Sequence, residues 1–541
     1  MYVSGGMTCI SKMWIVSNFH KIKILALTAF LYLVSPILLL CLLVLIMYRG
    51  LVAISAKVSR KDLVGMISPS TSVYASDELY GIPNRNTVCS LVLKGKLSIE
   101  SLQNIINKKV LSVKNAKGQY KYHQLRMYPT KFQKFMFWKL EEEFKIENHV
   151  VMYDKARDNN RVWTEQDLQE IQKNLIRKQW ARFTSPWEIL LIPNYRNQNC
   201  GTRDVKTVLC ARFHMCVGNE ISWMKLLVQI LCDSCEPDVA VSIPPSFITT
   251  ELSENVEVSG NSATAIPIEA PFQETRREFG LICGWILQKL VIPFRIPFDF
   301  VVQIMEPLTP NEWQVDETNL LKRDHVVMLD RFSVQHVKEI KNILGVRFSS
   351  VLTAALSSAL RVTFMEAGCK LPNYMKLMLP LPRCGSKDGT CSDVDGSLCW
   401  INLPTGVSSS RERLRCCESA QEKLHQSSKL TTNHFIMSLI GLLPFKYHWF
   451  FIRQRPWTGV LLNLKGPSEV LNIHEHQIED IAVTSASDSG FVLSFVSYAD
   501  YLRISLVIDY RLLPKEVMAK NLLKNIYAEL VLLGLDGGAA V

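Results

Sequence analysis

With 541 residues, 48% of them hydrophobic and 21% charged, the chain has enough apolar material for two sizeable cores and too much for disorder throughout. Its formal net charge of +11 suits work against an anionic membrane surface or on a phosphate-bearing ligand. A nucleic-acid binder is excluded, because the basic residues between Lys94 and Lys178 are interleaved with apolar ones and with Glu141-Glu142-Glu143, and form no stripe.

Residues 1–23 read as a short tail before the clearest non-globular signal. Ile24 to Tyr48 runs about 25 residues without a charge, enough to cross a bilayer core of about 30 Å as one helix. A cleaved signal peptide would have an apolar core of about 7 to 15 residues and a small-residue cleavage site, and this run has neither. Pro36 predicts a kink in the helix, with a re-entrant hairpin as the second reading. The flanking charges are Lys12, Lys21 and Lys23 before the span and Arg49, Lys57, Arg60 and Lys61 after it, a small excess that favours a cytosolic body. Fifteen cysteines without disulfide-framework spacing, and no Asn-x-Ser/Thr acceptor anywhere, agree with that side.

Residues 52–235 read as a mixed α/β lobe. Strands are predicted at Val88 to Leu93, Trp187 to Ile192 and Val208 to Phe213, alternating with helical stretches such as Glu165 to Trp180. The last of these strands leads into Arg212-Phe-His-Met-Cys-Val-Gly-Asn-Glu-Ile-Ser-Trp223. His214, the titratable residue at its centre, has two readings: a general base, or a hydrogen-bonded core histidine. Cys232-Asp-Ser-Cys235 has the spacing of half a zinc site, but no second pair accompanies it, so free core thiols and no metal are expected.

Glu236 to Glu274 is rich in Pro, Ser, Thr, Glu and Val and reads as a crossover linker, with residues 236–310 forming linker and apolar connector. Leu281 to Ile304 is apolar but broken by Pro293 and Pro297, so it suits a membrane interface or a lobe interface better than a second crossing. Residues 311–541 form the second lobe. Ser349 or Ser350 is expected to cap a core-facing helix carrying Leu352, Ala355, Leu356 and Leu360. His434 to Phe451 is an apolar helix interrupted by Pro444 and followed by an aromatic run, again suited to lipid contact. His474-Glu-His476 would put two imidazoles on one strand face at a surface edge. Phe491 to Val496 and Leu502 to Ile508 read as a hairpin, and Pro514 as the start of a final helix ending near Gly534.

The segment Arg212 to Trp223 resembles the H-H-x-x-x-D-G active-site motif of the wax ester synthase/diacylglycerol acyltransferase family, with His214 at the first His, Met215 at the second, Asn219 at the Asp and Glu220 at the Gly. The order Pro186-Trp187-Glu188, this motif, Asp330-Arg331-Phe332, Leu403-Pro-Thr-Gly406 and Asn463-Leu-Lys-Gly466-Pro467 is similar to the family's succession over nearly the whole body. The resemblance implies an α/β fold of the two-lobed coenzyme A-dependent acyltransferase kind, mixed sheets with flanking helices, with the active site between the lobes. It implies acyl-CoA as co-substrate with no bound cofactor, and diacylglycerol or a long-chain (fatty) alcohol as acceptor. Asn463, Gly466, Pro467 and Trp187 would shape the substrate site.

The same resemblance identifies three departures within the motif and one outside it. Met215 stands where the family has its base and holds no titratable proton; Asn219 keeps hydrogen-bonding capacity without charge; Glu220 replaces a glycine and implies a reshaped loop. Ser349-Ser350 stands where the family often has Asn-Asp. His214 is then the base by default. The expectation is a single-pass acyltransferase of the lipid bilayer, in the endoplasmic reticulum first and the plasma membrane second. The alternative is a catalytically impaired relative that binds or hands over acyl lipids, and a third reading is a structural adaptor with its lobe interface filled. No G-x-S-x-G elbow, phosphate loop or dinucleotide fingerprint supports a hydrolase, kinase or dehydrogenase.

Overall fold

The structure is a computed structural model that describes residues 4–115, 118–154, 161–196, 205–232, 295–306, 311–329, 331–382, 396–453 and 456–537. The expected linker Glu236 to Glu274, the first part of the apolar connector, Cys235 and Asp330 lie outside the described residues.

A single helix, Ser4–Ser59, runs unbroken through Pro36, so no hairpin forms. Over its apolar part the side chains face outward, with Leu33 78% exposed. Only near the body does it bury anything: Val52 and Ala56 pack on Phe135 and Phe137 of a small antiparallel sheet made by Leu63–Met66, Phe135–Leu140 and Met127–Phe132. An unpaired apolar helix standing in water would forfeit about 25 cal/mol for each Å² exposed.

The first large sheet has six strands in the order Asn472–Ile473, His476–Ser485, Asn86–Lys94, Lys206–His214, Trp187–Tyr195, Val150–Met152. Its central strands show no alternation of exposure: all nine residues of Lys206–His214 are buried, as befits strands covered on both faces. Helix Glu165–Arg177 covers one face with Leu168, Ile171, Leu175 and Ile176. It starts at a capping box in which the Thr164 side chain accepts from Asp167 N–H and Asp167 accepts from Thr164 N–H.

The second large sheet runs Gly396–Leu403, Met375–Pro382, Gly459–Lys465, Phe491–Tyr498, Tyr501–Asp509, Asp324–Met328, with Phe332–Ser333 also pairing with Tyr501–Asp509. The expected hairpin is present, extending to Phe491–Tyr498 and Tyr501–Asp509. Helices Phe348–Glu366 and Glu516–Gly537 pack beneath it around Leu352, Ala355, Leu356, Leu523 and Ile526. Phe348–Glu366 is apolar enough to cross a membrane but is a core helix, mostly buried.

Three local expectations need correction. The N-cap of Phe348–Glu366 is Arg347, not Ser349 or Ser350; Glu418 accepts from the Arg347 backbone N–H at 2.9 Å and pairs with its guanidinium, which fixes the helix entry without a serine cap. The last helix runs on through Gly534 to Gly537, and the glycine is there for close packing: the ring of His336 lies where a side chain would go, 2.6 Å from a built Cβ. His474 and His476 do not share a strand face: His474, at φ 52°, sits in the turn between Asn472–Ile473 and His476–Ser485.

The strand that positions everything else is His476–Ser485. It belongs to the second half of the sequence but pairs antiparallel with Asn86–Lys94 inside the first sheet, from Ile478 opposite Leu93 to Ser485 opposite Thr87. After five intervening residues the chain re-enters the second sheet at Phe491. The corner around Ala486 to Gly490 is therefore where the lobes are sewn together, and it is polar. Arg177 donates to Asp324 at 2.6 and 3.2 Å, to Asn84 at 3.0 Å and to the Ser487 carbonyl at 3.2 Å. Asn84 donates to Glu317 at 2.7 Å, and Arg85 faces Asp488 at 3.7 Å.

Candidate functional site

His214 is the last residue of strand Lys206–His214, opposite Asn86, and the chain then turns through Met215 to Gly218 into helix Glu220–Lys225. The turn is pinned at its start: His214 N–H donates to the Pro186 carbonyl at 3.0 Å and Met215 N–H to the Arg85 carbonyl at 3.1 Å. This places the segment beside the polar corner that joins the lobes.

The His214 ring is fully buried, and both nitrogens are engaged. Nδ1 accepts from the Cys216 backbone N–H at 3.2 Å, which requires a lone pair there, so the ring proton sits on Nε2 and is donated to Asp77 Oδ2 at 3.1 Å. Burial lowers the imidazole pKa, opposed by Asp77. Burial raises that of Asp77, but His214, Arg85 and the Asn84 N–H outweigh it and hold the carboxyl below its ordinary value. The pair is a neutral imidazole on an ionised carboxylate. As such it locks the turn; a substrate hydroxyl would find no free nitrogen on it.

Met215, the neighbour on the opposite side, is half-buried and offers only a thioether. Asn219 caps the following helix, its Oδ1 accepting from Ser222 N–H and Ser222 Oγ, both at 2.8 Å. A carboxylate is not needed for that work, and an amide does it without charge.

Glu220 is the departure with the largest physical cost. Its carboxyl is buried, and Thr87 Oγ1 and Ser485 Oγ lie 3.2 and 3.4 Å from its Oε1. No cation faces it among the described residues, and burial raises its pKa against those two hydroxyls and its own backbone N–H. Thr87 belongs to the first lobe and Ser485 to the crossing strand, and their hydroxyls also meet each other at 2.9 Å. Glu220 is thus built into the joint. Asp77, Arg85, Thr87, Ser485 and Asp488 lie at the same corner, and no local motif marks them; only the strand pairing brings them together.

The other residues expected at the site are dispersed. Trp187 is a core residue under the motif strand, stacked on His149 with ring centroids 4.6 Å apart and donating from Nε1 to the Leu125 carbonyl at 2.7 Å. Asn463 lies on strand Gly459–Lys465, where Leu462 and Leu464 join the first lobe's core while Leu461 joins the second's. With Leu461, Leu352 and Phe495, Asn463 lines a small, mostly apolar cavity of about 30 Å³ inside the second lobe, on the side away from the motif. Gly466 and Pro467 shape the strand end: Gly466 N–H donates to the Ser497 carbonyl at 2.8 Å and Ala499 N–H to the Pro467 carbonyl at 2.8 Å. Two further cavities, of about 470 Å³ beside Trp400, Arg415 and Lys423 and of about 270 Å³ beside Lys173, His325 and Glu516, are not lined by any residue of Arg212 to Trp223. No group of three or more metal-ligating side chains occurs among the described residues. Cys232 is buried.

Residues 396–532 match the WS/DGAT C-terminal domain family. No curated protein matches the chain by sequence. Among solved structures, the chain is similar to the wax ester synthase/diacylglycerol acyltransferase from Marinobacter aquaeolei VT8, 15% identical, over 87% of this chain and 100% of that one, with a TM-score of 0.53. It is similar also to the first condensation domain of the calcium-dependent antibiotic synthetase, at 10% identity over 87% and 96% of the two chains and a TM-score of 0.51. At these identities the likeness is one of fold. Residues 396–532 thus resemble the WS/DGAT C-terminal domain, and the two-lobed fold around them is similar to that of the wax ester synthase/diacylglycerol acyltransferase structure.

Proposed function

We propose that the protein is a membrane-anchored O-acyltransferase that moves a fatty acyl group from acyl-CoA to diacylglycerol or a long-chain alcohol. The observation that carries this reading is the family match over residues 396–532, on a lobe whose crossing strand lies beside the motif corner. In the reaction the alcohol oxygen bonds to the thioester carbonyl carbon, the carbon–sulfur bond breaks, and the alcohol proton ends on the coenzyme A thiol. The exposed apolar helix at the N-terminus would hold the enzyme on the membrane that supplies the acceptor, with the body on the cytosolic side, in the endoplasmic reticulum.

The two hydrogen bonds of its ring support a positioning role for His214. Met215 leaves the expected base position without a proton acceptor, and loss of a general base typically costs a factor of about 10² to 10⁴. Turnover would then rest on binding and orientation alone.

One observation favours a second reading. With His214 committed on both nitrogens and Met215 beside it, the corner holds a scaffold without its base, as expected of a relative that binds or hands over acyl lipids without turning them over. Acyl transfer by the purified full chain in detergent separates the two. Slow transfer that rises about a hundredfold or more in Met215→His supports the enzyme. Acyl-CoA binding without transfer in either protein supports the binder, and neither binding nor transfer overturns both.

A further inference from the structure

Helix Phe445–Arg453 is amphipathic in the wrong sense for a soluble protein. Among its described side chains the buried one is a histidine, His448, which sits against the Leu443 carbonyl at 2.9 Å. Its aromatic residues face out, with Tyr447 58%, Trp449 45%, Phe450 61% and Phe451 45% exposed. Four large rings on one short helix form a patch that water does not suit. Tyr and Trp there have the chemistry of side chains that settle at a bilayer surface, apolar in body and polar at one tip.

The position of this helix relative to the N-terminal one gives the patch an occupant. The helix span Lys21–Ser59 has 39 residues, about 58 Å at 1.5 Å each, nearly twice a bilayer core of about 30 Å, so only part of it can lie in lipid. Arg49 is the first charge after the apolar run, and it helps tie the helix to the body: its guanidinium donates to the carbonyls of Ile67 at 2.6 Å and Gly441 at 3.1 Å. Gly441 is jammed against the backbone of Pro69, 1.7 Å from a built Cβ, which holds its helix fast. One turn further on, Phe445 N–H donates to the Lys134 carbonyl at 3.0 Å, and the Lys131 ammonium lies 4.7 Å from the Phe445 ring centre. The aromatic helix is therefore fixed at the level where the apolar span emerges, with Lys131, Lys134 and Lys446 exposed around it for anionic headgroups.

We infer that helix Phe445–Arg453 is a second membrane contact, lying in the headgroup region of the same bilayer that holds Ile24 to Tyr48, so that the body is held down at two points and its orientation on the lipid is set. This rests on the membrane reading of the N-terminal helix. With both contacts in place the body cannot swing freely on its anchor, and the motif corner keeps a constant height above the bilayer.

The test uses the full chain reconstituted in vesicles of phosphatidylcholine with a minor share of phosphatidylserine, with and without bromine on the phosphatidylcholine chains. The emission of Trp449 is isolated as the difference between the parent and Trp449→Phe. Bromolipid should quench that difference emission by roughly half or more, while alkaline carbonate leaves the protein in the membrane. A quadruple change of Tyr447, Trp449, Phe450 and Phe451 to Ser should remain carbonate-resistant yet leave the body more accessible to added protease than the parent. Retention in carbonate with unquenched Trp449 emission would overturn the inference and spare the anchor. Unquenched emission that varies with protein density in the vesicle would assign the patch to a second copy instead. Release by carbonate would remove the anchor and, with it, the inference.

Discussion

Replacing His214 by alanine separates a structural histidine from a catalytic one. The change removes the Nε2–H that Asp77 accepts and the Nδ1 lone pair that takes the Cys216 N–H, and it opens a hole at a site with no solvent exposure. Each orphaned buried partner costs about 1–3 kcal/mol, and breaking a buried hydrogen-bonded pair from one side costs about 3–5 kcal/mol in all. For a lobe of this size each kcal/mol moves the melting temperature by about 2–4 °C, so His214→Ala should melt roughly 6–20 °C below the parent. Asp77→Asn is the matched control, since the amide oxygen can still accept from Nε2–H, and its loss should be nearer 1 kcal/mol. Thermal unfolding in detergent followed by tryptophan emission reads the shift, and acyl transfer measured on the fraction still folded reads the chemistry. A His214→Ala protein that melts within about 2 °C of the parent but has lost its transfer activity would refute the positioning role and restore the histidine to the reaction.

Other perturbations have defined signs. Glu220→Gln keeps an acceptor for Thr87 and Ser485 and removes a carboxyl whose pKa is raised by burial; the parent's stabilisation by the protonated acid is complete below the ordinary value of 4.5 and fades as pH rises through the raised one. The variant's melting advantage should therefore grow from pH 4 to pH 8, and an advantage equal at both ends would contradict the assignment. His448, lowered by burial to about 4 from 6.5, works in the opposite sense: its contribution is present above pH 6.5 and is lost as pH falls towards 4, so His448→Gln should flatten the acid limb of a stability profile. Gly466→Ala puts a Cβ 2.2 Å from the Ser497 carbonyl, a backbone atom that cannot swing aside, and should cost about 1–3 kcal/mol in a thermal melt.

Much of the fold is legible where the signal is local. The apolar run from Ile24, the strand before His214 and the hairpin around Ala499 each have a pattern that only one element satisfies. The partners of the motif are not legible, because they are set by pairing across hundreds of residues. Asp77 reaches His214 from 137 positions away, and Ser485 reaches Thr87 from 398. The misread cap at Ser349 has the same root. Serine's preference for the cap is worth about 1 kcal/mol, and the anchoring of Arg347 by Glu418, 71 positions on, overrides it. Gly534 carries the residue type of a helix stop but serves a close approach to His336.

The crossing strand explains why the motif's letters cannot be judged one at a time. Glu220 would be an isolated buried carboxyl, costly to keep, were it not for hydroxyls supplied by Thr87 and by Ser485 on the strand that enters from the other lobe. Those hydroxyls also bond each other, so the three residues form one small polar unit across the seam. Around it Arg177 links the first lobe to Asp324 and to the Ser487 carbonyl, and Arg85 faces Asp488 while its own carbonyl holds Met215 N–H. The loop that follows His214 is thus part of what fastens the lobes together. Restoring a histidine at Met215 tests the chemistry without touching the joint, whereas changes at Glu220 or His214 act on both at once.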